Sequence, residues 1–169
     1  MATPNFTGVA GRQLLVTAID VDGTGSDYKV IGRRVTDSSI SFGTSVTTET
    51  DILGITDTTV NNMTESQTFT IPVSDDYDVT GWMLDVYRRR AFSEFSGLKV
   101  LQIHAFEGAS GSYEAIEFDS CTIEPTDFGG SGEDGRITLS FTLHYGGQVR
   151  RGTVNTASIG TPINFTAAA

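Results

Sequence analysis

The pattern that decides the fold lies in GRITLSFTLHYG, residues Gly135 to Gly146. Apolar and polar side chains alternate along it, and the apolar members are Ile137, Leu139, Phe141, Leu143 and Tyr145. Because successive side chains of a β-strand point to opposite faces of a sheet, one face of this stretch is apolar and the other polar. The stretch therefore predicts a half-buried antiparallel strand.

Several other stretches predict strands around it. LKVLQIHAFE, residues 98–107, is apolar on both parities and predicts a central strand, and QLLVTAID and YKVIGRRV predict two more. In YEAIEFDSCTIEP the apolar residues change parity between Phe118 and Cys121. Since one extra residue in a strand restores a single apolar face, we expect a β-bulge near Asp119–Ser120.

One helix is predicted, over about residues 75–95. Its apolar residues follow the spacing i, i+3, i+4, i+7, i+8 from Val79 onward, which forms a single stripe. The stripe residues expected to dock the helix on the strands are Trp82, Met83, Val86 and Tyr87. Acids at its start and Arg88, Arg89 and Arg90 at its end suit the helix dipole, and Gly97 can stop it. The sequence thus predicts a β-rich domain with one packed helix.

A threonine-rich, acidic segment of about residues 44–67 lies between these elements. Its sparse apolar residues cannot bury much area within one chain, yet its threonines favour strands. A long β-hairpin arm with its partner on another subunit reconciles both facts, and a mobile surface loop fits the composition equally well. The segment 156–169, which ends in GTPINFTAAA, predicts a flexible tail.

Length and charge bound the function. The 169 residues suit a single domain, 1–169, and the net charge of −10 would repel phosphate, which disfavours direct binding of nucleic acid. A single cysteine excludes an intrachain disulfide framework, and the N-terminus lacks the pattern of a signal peptide. With one cysteine, we expect folding in a reducing cytoplasm. No apolar run is long enough for a membrane span.

The stretch DVDGTGSD is the strongest candidate for a metal site. Asp20, Asp22, Gly25 and Ser26 match positions 1, 3, 6 and 7 of an EF-hand loop, but Ile31 occupies position 12, where a glutamate is needed. Both flanks predict strands rather than helices. The sequence therefore predicts an acidic hairpin turn.

No other group of residues forms a motif for catalysis or ligand binding. His104 and His144 lie in predicted strands without a nucleophile motif. A zinc site needs three or four ligands, and two histidines with Cys121 in separate predicted strands do not form a suitable set. The glycine clusters lack the context of a phosphate loop. We expect no enzyme, no cofactor and no metal. Arg88–Arg90 fit either the capping of the helix end or ion pairs with an acidic neighbouring subunit.

The helix and the segments after it resemble a known family. GWMLDVYRRRAFSEFSGLKVLQIHAFE, GSYEAIEFDSCTIEPTDFGG and FTLHYGGQVRRGTV are similar to the major tail tube proteins of long-tailed (siphovirus-type) bacteriophages that infect Gram-positive bacteria. TETDILGITDTTVNNMTESQTF resembles the threonine-rich arm of that family. The resemblance covers Leu15 to Val154, which is most of the chain.

The resemblance implies a β-sandwich or barrel-like domain with one flanking helix and a long hairpin arm. Six subunits would form a ring with a continuous inner β-barrel, and the rings would stack into a tube. A tape-measure protein would occupy the lumen during assembly, and tail terminator and baseplate-proximal proteins would meet the tube ends. Double-stranded DNA would pass through during ejection without specific binding. The protein would be made in the host bacterial cytoplasm and end in the virion tail, without contact with a membrane.

Within this interpretation, the arm carries the contacts between subunits and between rings. The arm residues expected there are Thr48, Glu49, Asp51, Ile52, Leu53, Ile55 and Thr58, with ion pairs from Arg88, Arg89 and Arg90. Two other kinds of protein compete with it. One is the tube protein of a contractile tail or a phage-like bacteriocin, and the other is a carbohydrate-binding β-sandwich module. The single tryptophan on the helix stripe counts against the second.

Overall fold

The computed structural model describes residues 10–32, 35, 38–74, 78–109, 111–130, 135–158 and 160–168. It contains one α-helix, eleven strands and two short 3-10 helices within these residues. The strands are β1 (Leu15–Asp20), β2 (Tyr28–Ile31), β3 (Ile40–Ser41), β4 (Ser45–Thr50), β5 (Thr56–Asn62), β6 (Ser66–Pro72), β7 (Ser96–Ala109), β8 (Ser112–Gly129), β9 (Thr138–His144), β10 (Val149–Val154) and β11 (Phe165–Ala167). The helix α1 is Asp78–Arg89, and the 3-10 helices are Arg12–Leu14 and Phe92–Phe95.

Nine of the described strands form one antiparallel sheet in the order β2-β1-β7-β8-β9-β6-β3, with β10 paired to β8 and β11 paired to β10. The long strand β8 organises this sheet. β7 pairs along one edge of β8, while β10 and β9 share the other edge, β10 against residues 113–118 and β9 against residues 122–129. The predicted strands are therefore confirmed, and the central strand predicted over residues 98–107 is β7, between β1 and β8. The strand predicted over YKVIGRRV is shorter, because β2 ends at Ile31, and residues 33–34 of that stretch lie outside the described residues.

The predicted bulge is also confirmed. Leu98 of β7 pairs with Cys121 of β8, whereas Val100 pairs with Phe118, so β8 holds one more residue than β7 between these two pairs. The extra residue lies at Asp119–Ser120. Because it reverses the parity of β8, Phe118 and Cys121 both face the same core.

The sheet curves until distant strands meet. Thr17 of β1 donates to the side-chain amide oxygen of Gln67 of β6 at 2.8 Å, although three strands separate β1 from β6 in the sheet order. The Tyr145 hydroxyl donates to the same Gln67 oxygen at 2.5 Å, and Gln67 is buried. Paired polar groups of this kind are tolerated in an interior because each is hydrogen-bonded. The domain is thus mainly β and barrel-like, with one helix.

In the part of the chain that the structure describes, two apolar clusters form the core. The larger lies under α1, which contributes Met83 and Val86. It also contains side chains from both ends of the strand order, including Ile19, Ile31, Phe69 and Phe141. The smaller lies on the opposite face of β1, β7 and β8 and is built from Ala18, Tyr28, Leu101, Ile103, Ala115, Val154 and Ile163. The sheet is therefore covered on both faces in its centre, which explains why β7 is apolar on both parities.

The helix is shorter than the 75–95 span that the sequence predicts. It ends at Arg89 because Arg90 adopts a left-handed conformation, with φ of 58°. The Ala91 amide then bonds to the Val86 carbonyl and the Arg90 amide to the Tyr87 carbonyl, the pattern of a Schellman cap. Gly97 follows the 3-10 helix Phe92–Phe95 and so does not end α1. Residues 75–77, at the predicted helix start, lie outside the described residues.

The segment expected to be a flexible tail contains strand β11, which pairs with β10. Asn155 holds the turn before β11, since its side chain donates to the Pro162 carbonyl and accepts from the Asn164 amide. Ile163 then fills the smaller apolar cluster with no exposed surface. The segment after Asn155 is therefore part of the fold.

Candidate inter-subunit surface

The threonine-rich segment forms a β-hairpin, called the arm, from β4 and β5. Its two strands form a separate sheet, and every residue in both strands is exposed. Cross-strand threonine pairs line one face, with 3.0 Å between the hydroxyls of Thr50 and Thr56 and 3.5 Å between those of Thr48 and Thr58. Val46 pairs with Val60 on the same face. The arm is thus held by its backbone ladder and local side-chain pairs.

The tip of the arm is an ordered turn. The Asp51 carboxylate accepts hydrogen bonds from the Leu53 and Ile55 amides at 2.8 and 2.9 Å, and the Gly54 amide bonds to the Asp51 carbonyl at 3.0 Å. Gly54 has φ of 79°, which completes the three-residue hairpin loop that combines a type I turn with a left-handed residue. The tip therefore has a defined shape without a partner.

This ordered turn presents two large apolar side chains to solvent. Ile52 is 102% exposed and Leu53 is 77% exposed. Full burial of such a side chain is worth about 1.5–3 kcal/mol, a gain that the isolated chain does not obtain. An apolar tip on a preorganised turn is what an interface anchor requires.

The opposite face of the arm is acidic. Glu49 of β4 and Asp57 of β5 are directly paired, so two like charges lie side by side. Such pairs are destabilising in an isolated sheet. The arm contains Asp51 as a third acid and has no Lys or Arg between residues 45 and 62. A cation from outside the arm would relieve this repulsion.

A second exposed apolar surface lies where α1 and the 3-10 helix Phe92–Phe95 meet the end of β8. We call it the groove. Its volume is 190 Å³, and its exposed aromatic side chains are Tyr87, Phe92 and Phe128. The Tyr87 and Phe128 rings contact each other with centroids 5.8 Å apart. Buried Met83 and Phe95 form part of the lining, and Asp127 is the one charged residue among the described residues that line it.

The residues predicted to dock the helix divide between core and groove. Met83 and Val86 are buried in the larger cluster, and Trp82 packs edge-on against Phe95 with centroids 5.6 Å apart. Tyr87 is 42% exposed and faces the groove. The domain therefore buries only part of the apolar stripe of α1 and leaves Tyr87 exposed to solvent.

The three arginines predicted to form ion pairs between subunits have different surroundings. Arg89 bonds to Asp85 at 2.7 Å and to both carboxylate oxygens of Glu94 at 2.8 and 2.9 Å. These bonds lower the pKa of the Glu94 carboxyl, and Arg89 is thereby engaged within its own chain. The Arg90 guanidinium lies 4.7 Å from the centre of the Tyr87 ring, at the rim of the groove. Among the described residues, neither Arg88 nor Arg90 has a carboxylate within ion-pair distance.

The acidic loop between β1 and β2 forms the predicted hairpin turn. Asp20 accepts hydrogen bonds from the Gly23 and Gly25 amides at 3.2 and 2.6 Å, and Asp22 accepts from the Thr24 amide at 3.0 Å. Burial, followed by the effect of Asp22, raises the pKa of the Asp20 carboxyl. The aspartates thus bind the turn's own backbone. Among the described residues, no three His, Cys, Asp or Glu side chains form a group that could hold a metal ion.

The groove is the feature that sequence reasoning missed. No sequence pattern links Phe92 to Phe128, because they lie 36 positions apart and each belongs to a short run without a clear period. The one signal in the sequence is Tyr87 at the edge of the apolar stripe of the helix.

The described helix is not long and apolar enough to cross a membrane.

The architecture defines a class: a mainly β, barrel-like domain with one flanking helix and a projecting hairpin arm. Neither a scan against protein-family models nor a search of curated proteins finds a match. Among solved structures, the chain is similar to one in the cryo-EM structure of the anti-feeding prophage baseplate, 6-fold symmetrised. That likeness has a TM-score of 0.51 at 12% identity and covers 86% of this chain and 96% of that chain. At this identity it shows a shared fold.

Proposed function

We propose that this protein is a structural subunit of a phage-like tail, and that it assembles with copies of itself into stacked hexameric rings. The observation that carries this proposal is the shared fold, which extends over nearly the whole of both chains and relates this protein to part of a six-fold symmetrised prophage assembly. In this role the chain acts by assembly and performs no catalysis.

The finer role is that of a tail tube subunit in a long-tailed phage, as the resemblance to tube proteins of phages of Gram-positive bacteria suggests. The stacked rings would conduct double-stranded DNA into the host, with a tape-measure protein in the lumen during assembly. The tube of a contractile tail or a phage-like bacteriocin fits the fold equally well. All of these roles place the protein in a tail and require the same self-assembly.

Two further properties support assembly as the function. The arm exposes Ile52 and Leu53 on an ordered turn, a costly surface for a protein that acts alone. The net charge of −10 suits a wall past which DNA slides, because phosphate would not adhere to it. A polar sheet face is also present, where Thr68 meets Thr142 at 3.2 Å and Thr70 meets Ser140 at 2.9 Å. Such a face suits a wetted wall.

Negative-stain electron microscopy of the concentrated protein tests the proposal. We expect six-fold rings or tubes for the full chain and their loss when residues 46–60 of the arm are deleted. The deletion removes no residue of either apolar cluster, so the variant should retain its free energy of unfolding within about 0.5 kcal/mol. A protein that stays monomeric at every concentration and binds a glycan would contradict the proposal.

A further inference from the structure

We propose that the arm tip of one copy inserts Ile52 and Leu53 into the groove of a second copy, where Arg90 faces the acids of the arm. This inference rests on the proposed self-assembly and goes beyond it, because it names the surface that receives the arm. The occupant of the groove is thus a segment of this same protein.

The apolar match is the first argument. The tip carries two exposed aliphatic side chains on a turn fixed by Asp51, and the groove is lined by Tyr87, Phe92 and Phe128. The groove volume of 190 Å³ lies below the roughly 300–1,000 Å³ of small-molecule sites. A cavity of this size suits the insertion of one or two side chains better than a cofactor or a metabolite.

Charge complementarity is the second argument. Glu49 and Asp57 repel each other on one face of the arm, next to the tip. Arg90 lies over the Tyr87 and Phe92 rings at the groove rim, with 4.7 and 5.8 Å to the ring centroids. A tip seated in the groove brings the acid pair towards Arg90. Among the described residues, Asp127 is the one acid in the groove lining, and the nearby Asp85 and Glu94 carboxylates are already bonded to Arg89.

The donor and acceptor surfaces are different patches of one chain, which sets the symmetry of the contact. Each copy can donate its tip to one neighbour and receive the tip of another. Such a heterologous contact closes into a ring or continues as a stack, and it is not exhausted in a dimer. The arrangement therefore suits a protein that assembles in rings and tubes.

A complementation experiment tests this inference. The tip variant is Ile52→Ser/Leu53→Ser, and the groove variant is Phe92→Ser/Phe128→Ser. We expect each alone to be folded and to require at least a tenfold higher concentration than the wild type for assembly. A mixture of the two retains one intact tip and one intact groove, so sedimentation should show a one-to-one dimer that grows no further.

Two sets of controls make the result specific. Val149→Ser changes an exposed apolar residue outside both surfaces and should assemble as the wild type does. Arg90→Glu should weaken assembly at least fivefold, whereas Arg151→Glu, an exposed arginine on β10, should not. Adding Glu49→Arg/Asp57→Arg to the Arg90→Glu chain should restore assembly. Unfolding in urea checks that every variant is folded.

The outcomes separate this inference from the proposed function. If the wild type assembles and the mixture of folded variants stays monomeric, the docking of tip in groove is wrong while the structural role stands. The same holds if the tip or groove variant assembles at the wild-type concentration. If the wild type forms no assembly, both fail. A glycan that binds the monomer and loses affinity with Phe92→Ser/Phe128→Ser would also overturn the docking.

Discussion

Glu117 is a carboxylate buried in the interior of β8, and its surroundings explain how it is tolerated. The Tyr28 hydroxyl donates to its Oε1 at 2.5 Å, and the Arg150 guanidinium faces Oε2 as an ion-pair partner. Oε2 has no hydrogen bond among the described residues, so the positive charge of Arg150 is what offsets the cost of burying this negatively charged oxygen. Burial together with Glu117 raises the pKa of Tyr28, which keeps that hydroxyl a donor.

Removal of Arg150 should therefore destabilise the fold. Breaking a buried ion pair costs roughly 3–5 kcal/mol, and we expect about 2 kcal/mol for Arg150→Ala because the Arg150 side chain is 51% exposed. Adding Glu117→Gln should recover more than half of the loss. Arg151→Ala, the exposed neighbour, is the control and should change the free energy of unfolding by less than about 0.5 kcal/mol. Equal effects of the two arginines in urea unfolding would contradict this account.

Cys121 is the single cysteine and is completely buried, and burial raises the pKa of its thiol to about 11. Near pH 8 the folded thiol is protonated and covered, so a disulfide reagent should label it only through unfolding, at least about a hundredfold more slowly than in denaturant. The labelling rate, measured as a function of urea concentration, tests whether labelling requires unfolding. Fast labelling of the folded protein would show that the bulge at Asp119–Ser120 opens to solvent.

The raised pKa of the Cys121 thiol also predicts how the stability of the protein changes with pH. Its folded pKa lies above the ordinary value of about 8.5, so its contribution to stability is complete below about pH 8.5 and is lost as the pH rises through about 11. The stability difference between the wild type and Cys121→Ala should therefore shrink over this range. A difference that is constant with pH would contradict the assignment.

Individual elements show which sequence signals were reliable. Strict alternation predicted β9, and the parity change predicted the bulge in β8, because both depend on the period of a single strand. The helix end was predicted less well. Arg90, a residue with no special tendency, adopts the left-handed conformation that a glycine was expected to supply, since its amide and that of Ala91 close the cap.

The segment after Asn155 provides a test at the scale of elements. Ile163 is fully buried against β7 and β10, so Ile163→Ala should cost about 3 kcal/mol of unfolding free energy. Ile137→Ala, at a site that is 52% exposed, is the matched control and should cost less than about 1 kcal/mol. Equal losses, measured by urea unfolding, would mean that this segment does not support the core.

At the scale of the whole molecule, net charge opposes assembly. Six copies would carry about −60 charges formally, whereas a few exposed ion pairs contribute about 0.2–1 kcal/mol each. Self-repulsion is therefore the larger electrostatic effect, and salt should screen it. We expect the concentration needed for assembly to fall severalfold as sodium chloride rises from about 10 to about 150 mM, where the Debye length shrinks from roughly 30 to 8 Å.

Glu114→Gln/Glu124→Gln removes two exposed acids outside the arm and groove, and it should reduce the size of that salt effect. Light scattering as a function of protein concentration measures the concentration needed for assembly of the wild type and of this variant at each salt concentration. Assembly that weakens steadily with added salt would show that attraction between subunits, and not repulsion, dominates the charge balance.

The sequence by itself determined the mainly β class, the single helix and the acidic turn after Asp20, because each depends on local period, turn chemistry or composition. For the threonine-rich segment the composition left a hairpin arm and a mobile loop equally open, and the pairing of β4 with β5 decided for the hairpin. Only the tertiary structure decided the groove and the burial of Ile163. Tyr87, Phe92 and Phe128 come together where α1 and the 3-10 helix Phe92–Phe95 meet the end of β8, and Ile163 is buried among residues of strands distant in the chain. Contacts between distant segments leave no periodic signal, so these surfaces follow from the fold alone.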